Sequence, residues 1–390
     1  MSHPFKLVSA AVLIAFALEG CQGAADSSVR PVASNATATA SPATSSAMQV
    51  VELADGLEHP WSVALLPDGA FLVTERPGRL RRVSAKGALS APLAGVPKVF
   101  AQGQGGLLDV VLSPAFATDQ RIFISYAEPG PDRTAGTAVA SAKLEAAGLS
   151  DLRVILRQVP KLTGPMHFGS RLVFDRDGLL YVTLGERNDK TRAQRRDGLQ
   201  GKVVRIRADG SIPPGNAGGD ATRPEIFSLG HRNAQSAALD PRTGRYWTAE
   251  HGPRGGDEIN LPEAGRNYGW PIVSYGIDYS GSRPYPETIG TTAPGMTPPH
   301  HVWPVSPALS GMAFYTGRPG SAWNDSLFLG ALAQKNLIRL SLDGDRITGE
   351  ERLLEDRGER IRDVRVGPDG AVYVLTDEAD GVLLKLTPPG

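Results

Sequence analysis

The chain repeats one pattern of polar and hydrophobic positions six times: a turn rich in Pro, Asp and Gly, then a short apolar run. Short runs of β-branched, aromatic and aliphatic residues between such turns are typical of strands. A small sheet cannot bury both of its faces alone, so repeated sheets stack around an axis. We therefore predict an all-β fold, a six-bladed β-propeller over residues 49–390, with a β-sandwich as the alternative. The six apolar runs are residues 71–75, 121–126, 180–184, 245–249, 326–329 and 371–376.

The connections between these runs leave little room for helix. Residues 189–199 are polar and predict a short turn of helix at most. The widest gap separates the fourth and fifth runs and contains residues 275–303, which are rich in Gly, Pro and aromatic side chains. Long connections of this kind usually lie on the surface and often serve binding. We expect this one to form a loop over one end of the propeller.

The N-terminal residues carry an export signal. Lys6 precedes an apolar run from Leu7 to Leu18 that is too short to span a membrane, which predicts a signal peptide over residues 1–21. Its end resembles a bacterial lipobox, so we expect a lipid anchor at Cys21; an unmodified signal peptide cut nearby is the alternative. Residues 22–48 are mostly Ala, Ser, Thr and Pro and predict a disordered linker. The sequence thus predicts an exported, periplasmic lipoprotein anchored to the membrane.

Composition excludes several classes of function. Lys plus Arg total 41 and Asp plus Glu total 41, so no net charge attracts nucleic acid. The single cysteine excludes an internal disulfide. The sequence has no glycine-rich dinucleotide or phosphate loop, no paired-cysteine or His-Glu-x-x-His motif, and no Gly-x-Ser-x-Gly nucleophile. Nucleotide, zinc and serine-hydrolase chemistry therefore lack support.

Residues 250–271 form an oxygen-rich segment. Gly252 and Pro253 bend the backbone away from regular structure and expose its carbonyl groups, and Asp257 and Glu258 follow closely. Carbonyl and carboxylate oxygens are the ligands that a hard cation such as Ca²⁺ prefers. We predict a calcium site in this segment, with an ordinary glycine-rich connection as the alternative.

Three further groups could carry chemistry. His167 lies in a turn of small residues before a strand, where an imidazole can act as a general base near neutral pH. Arg232 and Asn233 follow a glycine and a histidine, and together could clamp a carboxylate or quinone oxygen. Arg360 and Arg362 alternate along an extended segment, so both point to one side. The alternatives are a turn histidine that only bonds the backbone and a solvated strand edge.

Taken together, these residues resemble the glucose/sorbosone dehydrogenase family, which includes soluble quinoprotein glucose dehydrogenases and aldose sugar dehydrogenases. The resemblance runs from about Leu57 to Thr387. It implies a six-bladed propeller that uses pyrroloquinoline quinone (PQQ) and Ca²⁺ to oxidise aldose sugars at C1 to lactones. The motifs that carry it are residues 103–108 (Gly-Gln-Gly-Gly-Leu-Leu), 167–172 with 185–186, 230–233 (Gly-His-Arg-Asn), 250–271 and 360–364 (Arg-Ile-Arg-Asp-Val).

The resemblance also implies roles for individual residues. His167 would take the proton from the anomeric hydroxyl while the C1 hydride passes to the quinone, and Arg232 would assist at the same oxygen. The cofactor would be held by Gln104, Glu186, Arg232, Asn233, Lys335, Arg360 and Arg362. One Ca²⁺ would be bound by Gly252 and Pro253, a second by Glu258 and Tyr268, and the sugar would contact Gln104 and Trp303.

Four positions depart from the glucose enzymes of the family. Glu186 replaces an Asp, Met166 replaces an acid beside the base, and His300 replaces an aromatic residue. The cofactor-binding lysine of the family aligns with Ala333, and Lys335, two positions later, is the residue predicted to replace it. These changes favour a broad range of aldoses over glucose specificity.

The function predicted from the sequence is therefore Ca²⁺- and PQQ-dependent oxidation of aldose sugars, with an electron acceptor that the sequence does not identify. Two alternatives stay open. The departures at Ala333 and Glu186 fit a propeller that has lost its cofactor and binds a ligand or protein instead. A propeller lactonase would need Ca²⁺ but not the arginine cluster.

Overall fold

The computed structural model of the protein describes residues 47–219, 221–281 and 283–390. The predicted signal peptide, the predicted anchor at Cys21 and the linker up to residue 46 lie outside these ranges. In the part of the chain that the structure describes, no helix is both long and apolar enough to cross a membrane.

The strands of the described residues form six antiparallel sheets, which we name blades one to six in chain order. The chain enters with β1 (Gln49–Leu57), which belongs to blade six. Blade one contains β2 (Pro60–Leu65), β3 (Phe71–Glu75) and β4 (Arg79–Val83); blade two contains β5 (Leu107–Leu112), β6 (Arg121–Pro129), β7 (Ala135–Leu144) and β8 (Leu149–Arg157). Blade three contains β9 (Gly169–Phe174), β10 (Leu179–Leu184), β11 (Lys202–Arg207) and β12 (Ile226–Leu229).

The second half of the ring has the same order of strands. Blade four contains β13 (Ala234–Leu239), β14 (Tyr246–Glu250), β15 (Asp257–Asn260) and β16 (His301–Trp303); blade five contains β17 (Leu309–Phe314), β18 (Ser326–Ala331), β19 (Asn336–Asp343) and β20 (Arg346–Leu353). Blade six contains β21 (Ile361–Val366), β22 (Val372–Thr376), β23 (Gly381–Thr387) and β1. Helix within the described ranges is confined to α1 (Phe116–Asp119) and 3₁₀ turns at Pro131–Arg133, Lys190–Gln194 and Glu355–Arg357.

The six apolar runs read from the sequence fall on the second strand of each blade, namely β3, β6, β10, β14, β18 and β22. The prediction of an all-β, six-bladed propeller is therefore confirmed. The runs are continuous rather than alternating because each blade packs against a neighbour on both faces. All residues of β18, for example, are buried. One hydrophobic cluster joins Trp247 and Ile259 of blade four to Leu327 and Ile338 of blade five.

The first strand of every blade faces the axis of the ring. These central strands are β2, β5, β9, β13, β17 and β21, and each contacts the next in this order. Strands β21 and β2 are also in contact, so the ring is closed. Hydrogen bonds between the two ends of the chain also close the ring, since the first strand completes the last sheet. Strand β1 pairs antiparallel with β23, from Gln49 opposite Thr387 to Leu57 opposite Gly381.

We expect Leu57→Ala to lower the free energy of unfolding by about 2–5 kcal/mol, the usual range for truncating a buried leucine. Leu57 is fully buried in the cluster that joins β1 to blades one and six. Urea-induced unfolding would measure the change. Val51→Ala is the matched control on the same strand, because Val51 is 50% exposed and should change stability by less than about 0.5 kcal/mol. Equal midpoints for the two variants would contradict a closing role for β1.

Candidate active site

The N-terminal ends of the central strands meet at one cavity of about 380 Å³. Because the second strand of each blade runs antiparallel to the first, its C-terminal end lies at the same end of the ring. The cavity is lined by Trp61, Arg76, Gly103, Gln104, Gln235, His251, Ala308, Leu332, Arg360, Arg362 and Asp377. A groove of about 500 Å³ between blades one and two is larger, but no predicted site residue lines it. The chemistry of the lining, rather than size, identifies the site.

His167 is held in a fixed orientation beside this cavity. The side chain is 5% exposed, and the backbone adopts a left-handed conformation with φ of 56°. The backbone N–H donates to Oε1 of Gln104 at 2.8 Å, and Nδ1 lies 2.7 Å from Oε2 of Glu186. A carboxylate only accepts hydrogen bonds, so Nδ1 carries a proton, and in the neutral imidazole the free lone pair is therefore on Nε2. Nε2 is neither sealed from solvent nor hydrogen-bonded to another described residue.

Glu186 reaches His167 because of the pairing of β9 with β10. Gly169 at the start of β9 lies opposite Leu184 at the end of β10, which brings the residues that flank the two strands together. Glu186 is fully buried, and its second oxygen, Oε1, has no hydrogen-bond partner. The family resemblance implied that Glu186 is a cofactor ligand. The structure pairs it with the imidazole.

Arg232 and Asn233 precede β13 and are almost completely buried. The backbone N–H of Arg232 donates to Oε2 of Glu250 at 2.5 Å, and its Nη1 donates to the His251 carbonyl at 3.2 Å. Oδ1 of Asn233 accepts the Gly169 backbone N–H at 3.0 Å. Nε of Arg232 and Nδ2 of Asn233 are buried donors without a partner. Buried donors are rarely left unpaired, so these two are suited to an acceptor supplied by a ligand.

Blades six and one supply the positive charge of the cavity. Arg362 is 5% exposed and donates to Oε1 of Gln235 at 2.7 Å and to Oδ2 of Asp377 at 2.5 Å. Arg360 donates to the same oxygen at 3.2 Å, and Arg76 lies 3.6 Å from the other oxygen of Asp377. Although burial opposes it, the charges of Arg362 and Arg76 hold the pKa of the Asp377 carboxyl well below its usual range. Three guanidinium groups thus face one carboxylate.

The neighbouring His251 adds no charge to this cluster. Burial lowers the pKa of His251 to about 4, so the imidazole is neutral near pH 7. Its Nε2 lies 2.5 Å from the Leu309 carbonyl and therefore donates to it. The surplus positive charge of the cavity comes from its arginines and suits an anionic ligand.

The segment from 250 to 271 encloses a second, much smaller cavity of about 20 Å³, close to the volume of one water molecule or ion. Gly252, Pro253, Glu258 and Tyr268 all line it, as does Glu250. Within the described residues, no three His, Cys, Asp or Glu side chains cluster in a way that could hold a metal ion. A cation here would therefore rely on backbone carbonyl groups as well as carboxylates, as the sequence predicts.

The two acids of this segment have different surroundings. Asp257 accepts from the Gly252 N–H at 3.0 Å and the Ala308 N–H at 2.8 Å, so it braces the loop. The Glu258 carboxylate accepts one hydrogen bond, at 2.8 Å from Nδ2 of Asn260. Burial and the charge of Glu250 raise the pKa of the Glu258 carboxyl well above its usual range. An underpaired carboxylate at a small cavity fits a cation ligand.

Of the residues predicted for the base, the cofactor and the sugar, Gln104, Arg360 and Arg362 line the larger cavity and Arg232 lines the smaller one. The other predicted residues line neither, namely His167, Glu186, Asn233, Trp303 and Lys335. Trp303 lies on β16, the strand of blade four farthest from the axis, where its side chain is 5% exposed in the core and its Nε1–H donates to Glu350 at 2.9 Å. This placement disagrees with sugar contact through the indole ring. Lys335 is exposed in the turn between β18 and β19 and does not line the cavity, whereas Leu332 of the same turn does.

The sequence did not predict several of the lining residues, notably Trp61, Gln235 and Asp377. One signal could have found Asp377. An acid stands at or just beyond the end of the second strand in four blades, as Glu75, Glu186, Glu250 and Asp377. Aligning the repeats on that acid would have placed Asp377 at the same end of the ring as Glu186. Trp61 and Gln235 carry no such signal, because they read as ordinary strand residues.

Comparison with known proteins shows the family of this chain. Residues 57–385 match the model of the family described as Glucose / Sorbosone dehydrogenase. The chain is 51% identical over 354 residues to the aldose sugar dehydrogenase YliI of Escherichia coli K12, covering 90% of this chain and 94% of that protein. A crystal structure of a glucose dehydrogenase is 56% identical, with a TM-score of 0.85, and the match covers 86% of this chain and 99% of the other.

A more distant solved structure holds a cofactor. The PQQ-bound aldose sugar dehydrogenase of Streptomyces coelicolor is 26% identical, with a TM-score of 0.70, and the match covers 88% of this chain and 99% of the other. The family model spans nearly all of the propeller, and the E. coli relative shares half of its residues with this chain. The chain therefore belongs to the glucose/sorbosone dehydrogenase family, a family of sugar dehydrogenases.

Proposed function

We propose that this protein is a PQQ-dependent aldose sugar dehydrogenase that oxidises its substrate at C1 to the lactone. One observation carries the proposal. An imidazole with a free Nε2, fixed through Nδ1 by Glu186, lies beside a cavity whose arginines outnumber its acids. A general base next to an anion-binding cavity is what the oxidation of a hydroxyl group by an acidic cofactor requires.

The residues of the cavity fit PQQ, a planar tricarboxylate with quinone oxygens. A volume of about 380 Å³ is within the usual range for small-ligand sites. Arg76, Arg360 and Arg362 supply guanidinium groups for carboxylates, and Asp377 offsets one of their charges. The unpaired donor on Asn233 is free for a further ligand oxygen. When bound, PQQ supplies a two-electron acceptor for the hydride that leaves C1.

Side chains of the protein accept the proton that the substrate loses and stabilise the charges that form. Nε2 of His167 takes the proton of the anomeric hydroxyl, so the sugar loses one proton to the protein and one hydride from C1. Glu186 then faces an imidazolium across 2.7 Å and stabilises it. Arg232 places a guanidinium group in the site, with its Nε unpaired, to stabilise negative charge on a reacting oxygen.

Ca²⁺ is the cation that we propose for the 250–271 segment. The carbonyl groups of Gly252 and Pro253 would hold one ion beside the cofactor, and Glu258 with the backbone of Tyr268 would hold a second. The Pro253 carbonyl already accepts the Tyr279 hydroxyl at 2.9 Å, so the loop after blade four helps to orient it. A bound Ca²⁺ would act as a Lewis acid on a cofactor oxygen.

We expect Glu258→Gln to weaken Ca²⁺ binding at the second position by about 10-fold or more, because the site loses its charged ligand. Calorimetric titration of the metal-free protein with Ca²⁺ would show one fewer tight site. Glu263→Gln is the matched control, since that side chain is 56% exposed. Unchanged stoichiometry and affinity in Glu258→Gln would remove this position from the proposal.

A broad substrate range fits the surroundings of the base. Met166, next to His167, is 37% exposed and offers no charge to a sugar hydroxyl. Nε2 of His300 lies 2.7 Å from the Asp345 carbonyl, so this residue is engaged elsewhere and provides no aromatic face to the substrate. With fewer polar contacts than a glucose-specific site, the cavity would discriminate weakly among aldoses.

The test is reconstitution of the purified protein with PQQ and Ca²⁺, followed by dye reduction with a panel of aldoses. We expect turnover with several aldoses and none without PQQ. A protein that neither binds PQQ nor reduces the dye would support the binding-module alternative, which the exposed position of Lys335 favours. Lactone hydrolysis without PQQ would support the lactonase. Either result would overturn the dehydrogenase.

Export to the periplasm and a lipid anchor at Cys21 are part of the same proposal. They rest on the apolar run and the lipobox-like residues that precede Cys21. Fractionation of cells that produce the full chain and its Cys21→Ser variant would test both. Wild-type protein in the membrane fraction and variant protein in the soluble periplasmic fraction is the expected result; equal distribution would argue against the anchor.

A further inference from the structure

The indole ring of Trp61 borders the cofactor cavity. It lies at the start of β2, lines the cavity, and is only 2% exposed because it packs with Leu108 and Phe168. Its Nε1–H is neither sealed from solvent nor hydrogen-bonded to another described residue. The small accessible part of this side chain therefore includes the N–H donor, and the side chain lines the cavity. A buried Trp N–H normally finds a partner; those of Trp247 and Trp270 also lack one, but they are sealed from solvent, whereas that of Trp61 is not.

The ring is held rigidly by a buried cation. The guanidinium carbon of Arg171 lies 4.3 Å from the centroid of Trp61. Arg171 is fully buried and is itself held by Asp109 at 3.1 Å, Asp363 at 2.9 Å and the Gln235 carbonyl at 3.0 Å. The network ties blades two, three, four and six together beneath the cavity. Trp61 therefore cannot swing away without disturbing the centre of the ring.

The same cation strengthens the donor. A guanidinium group over an indole face withdraws electron density from the ring, which makes the N–H more acidic. Arg362, a proposed cofactor ligand, lies 6.0 Å from the same ring centroid and adds to this effect. A rigid donor of this kind loses little conformational entropy when it binds an acceptor.

We infer that the indole N–H of Trp61 donates a hydrogen bond to a carboxylate or quinone oxygen of the cofactor, making Trp61 a cofactor-binding residue and Arg171 the residue that positions it. The inference rests on the proposed function, because it takes PQQ as the ligand of the cavity. Trp61 then adds a neutral, directional donor from blade one to the charged donors of blade six.

Trp61→Phe tests the inference, since phenylalanine keeps an aromatic ring against Arg171 but has no N–H. Titration with PQQ, followed by absorbance, should show a Kd about 10- to 100-fold higher than that of the wild type, the usual effect of removing a hydrogen bond to a charged group. Trp247→Phe is the matched control. Trp247 is fully buried in the core and its N–H is unpartnered, so its loss should leave the Kd unchanged.

An NMR measurement on the wild-type protein tests the same hydrogen bond without relying on the folding of Trp61→Phe. Wild-type protein labelled with ¹⁵N-tryptophan has five indole N–H groups. We expect one of their resonances, retained in Trp247→Phe, to move downfield when PQQ is added. An unchanged Kd in folded Trp61→Phe, or no shifted resonance when PQQ binds, would overturn the inference but leave the proposed function standing. Failure of the wild type to bind PQQ would overturn both.

Discussion

Replacing His167 with glutamine should lower kcat for aldose oxidation by about 10²- to 10⁴-fold, the usual contribution of a positioned general base. Glutamine can keep a hydrogen bond to Glu186 but has no basic nitrogen to take the proton. PQQ binding should stay close to that of the wild type, because His167 lies outside the lining of the arginine-rich cavity. Steady-state kinetics with saturating PQQ and Ca²⁺ would measure the change.

His300→Gln is the matched control for this experiment. Its imidazole also bonds a single acceptor, the Asp345 carbonyl, but lies away from the cavity, so its turnover should match the wild type. Glu186→Gln separates orientation from charge: the amide preserves the shape of the partner but no longer stabilises an imidazolium, and we expect a smaller loss in kcat with KM unchanged. Wild-type turnover by His167→Gln would show that another group removes the proton.

Replacing Arg362 with alanine should raise the Kd for PQQ by about 10- to 100-fold. A charge-assisted hydrogen bond contributes about 1.5–3 kcal/mol, and its loss accounts for most of that change. The substitution also removes the closest partner of Asp377, whose carboxylate would then repel an anionic cofactor. Absorbance titration with PQQ would measure the effect, and urea unfolding would confirm that the variant is folded.

Lys335→Ala removes one positive charge from the same end of the ring and serves as the control. The structure leaves Lys335 exposed and outside the cavity, so we expect less than about a threefold change in Kd, as for surface charges in general. A large change in the Kd for PQQ in Lys335→Ala, with a small change in Arg362→Ala, would assign cofactor binding to Lys335 instead of Arg362. It would mean that the turn between β18 and β19 moves when the cofactor binds.

The architecture was predictable because its signal is repeated. In each blade the second strand is an apolar run preceded by the same kind of turn, and six copies of this pattern are compatible with few other folds. His167 lies just before β9 and Arg362 lies at the start of β21, so the same logic places both at one end of the ring. Residues far apart in sequence come together because every blade places the same strand end at the axis.

Where the prediction failed, the missing information was the position of a residue within its blade. The family resemblance placed Trp303 at the sugar, but this residue lies on β16, the outer strand of blade four. Its side chain packs in the hydrophobic cluster between blades four and five. No local pattern distinguishes an outer strand from a central one. Trp61 shows the reverse error: its sequence context predicts a core residue, and only the structure reveals that it lines the cavity.

The pairing of β1 with β23 has a consequence for re-engineering the chain. Gln49 lies opposite Thr387, so the ends of the propeller emerge side by side and a short peptide could join them. New termini could then be opened at the exposed turn of residues 145–147, between β7 and β8. In such a circular permutant blade six would be continuous and blade two would become the one completed by both ends of the chain.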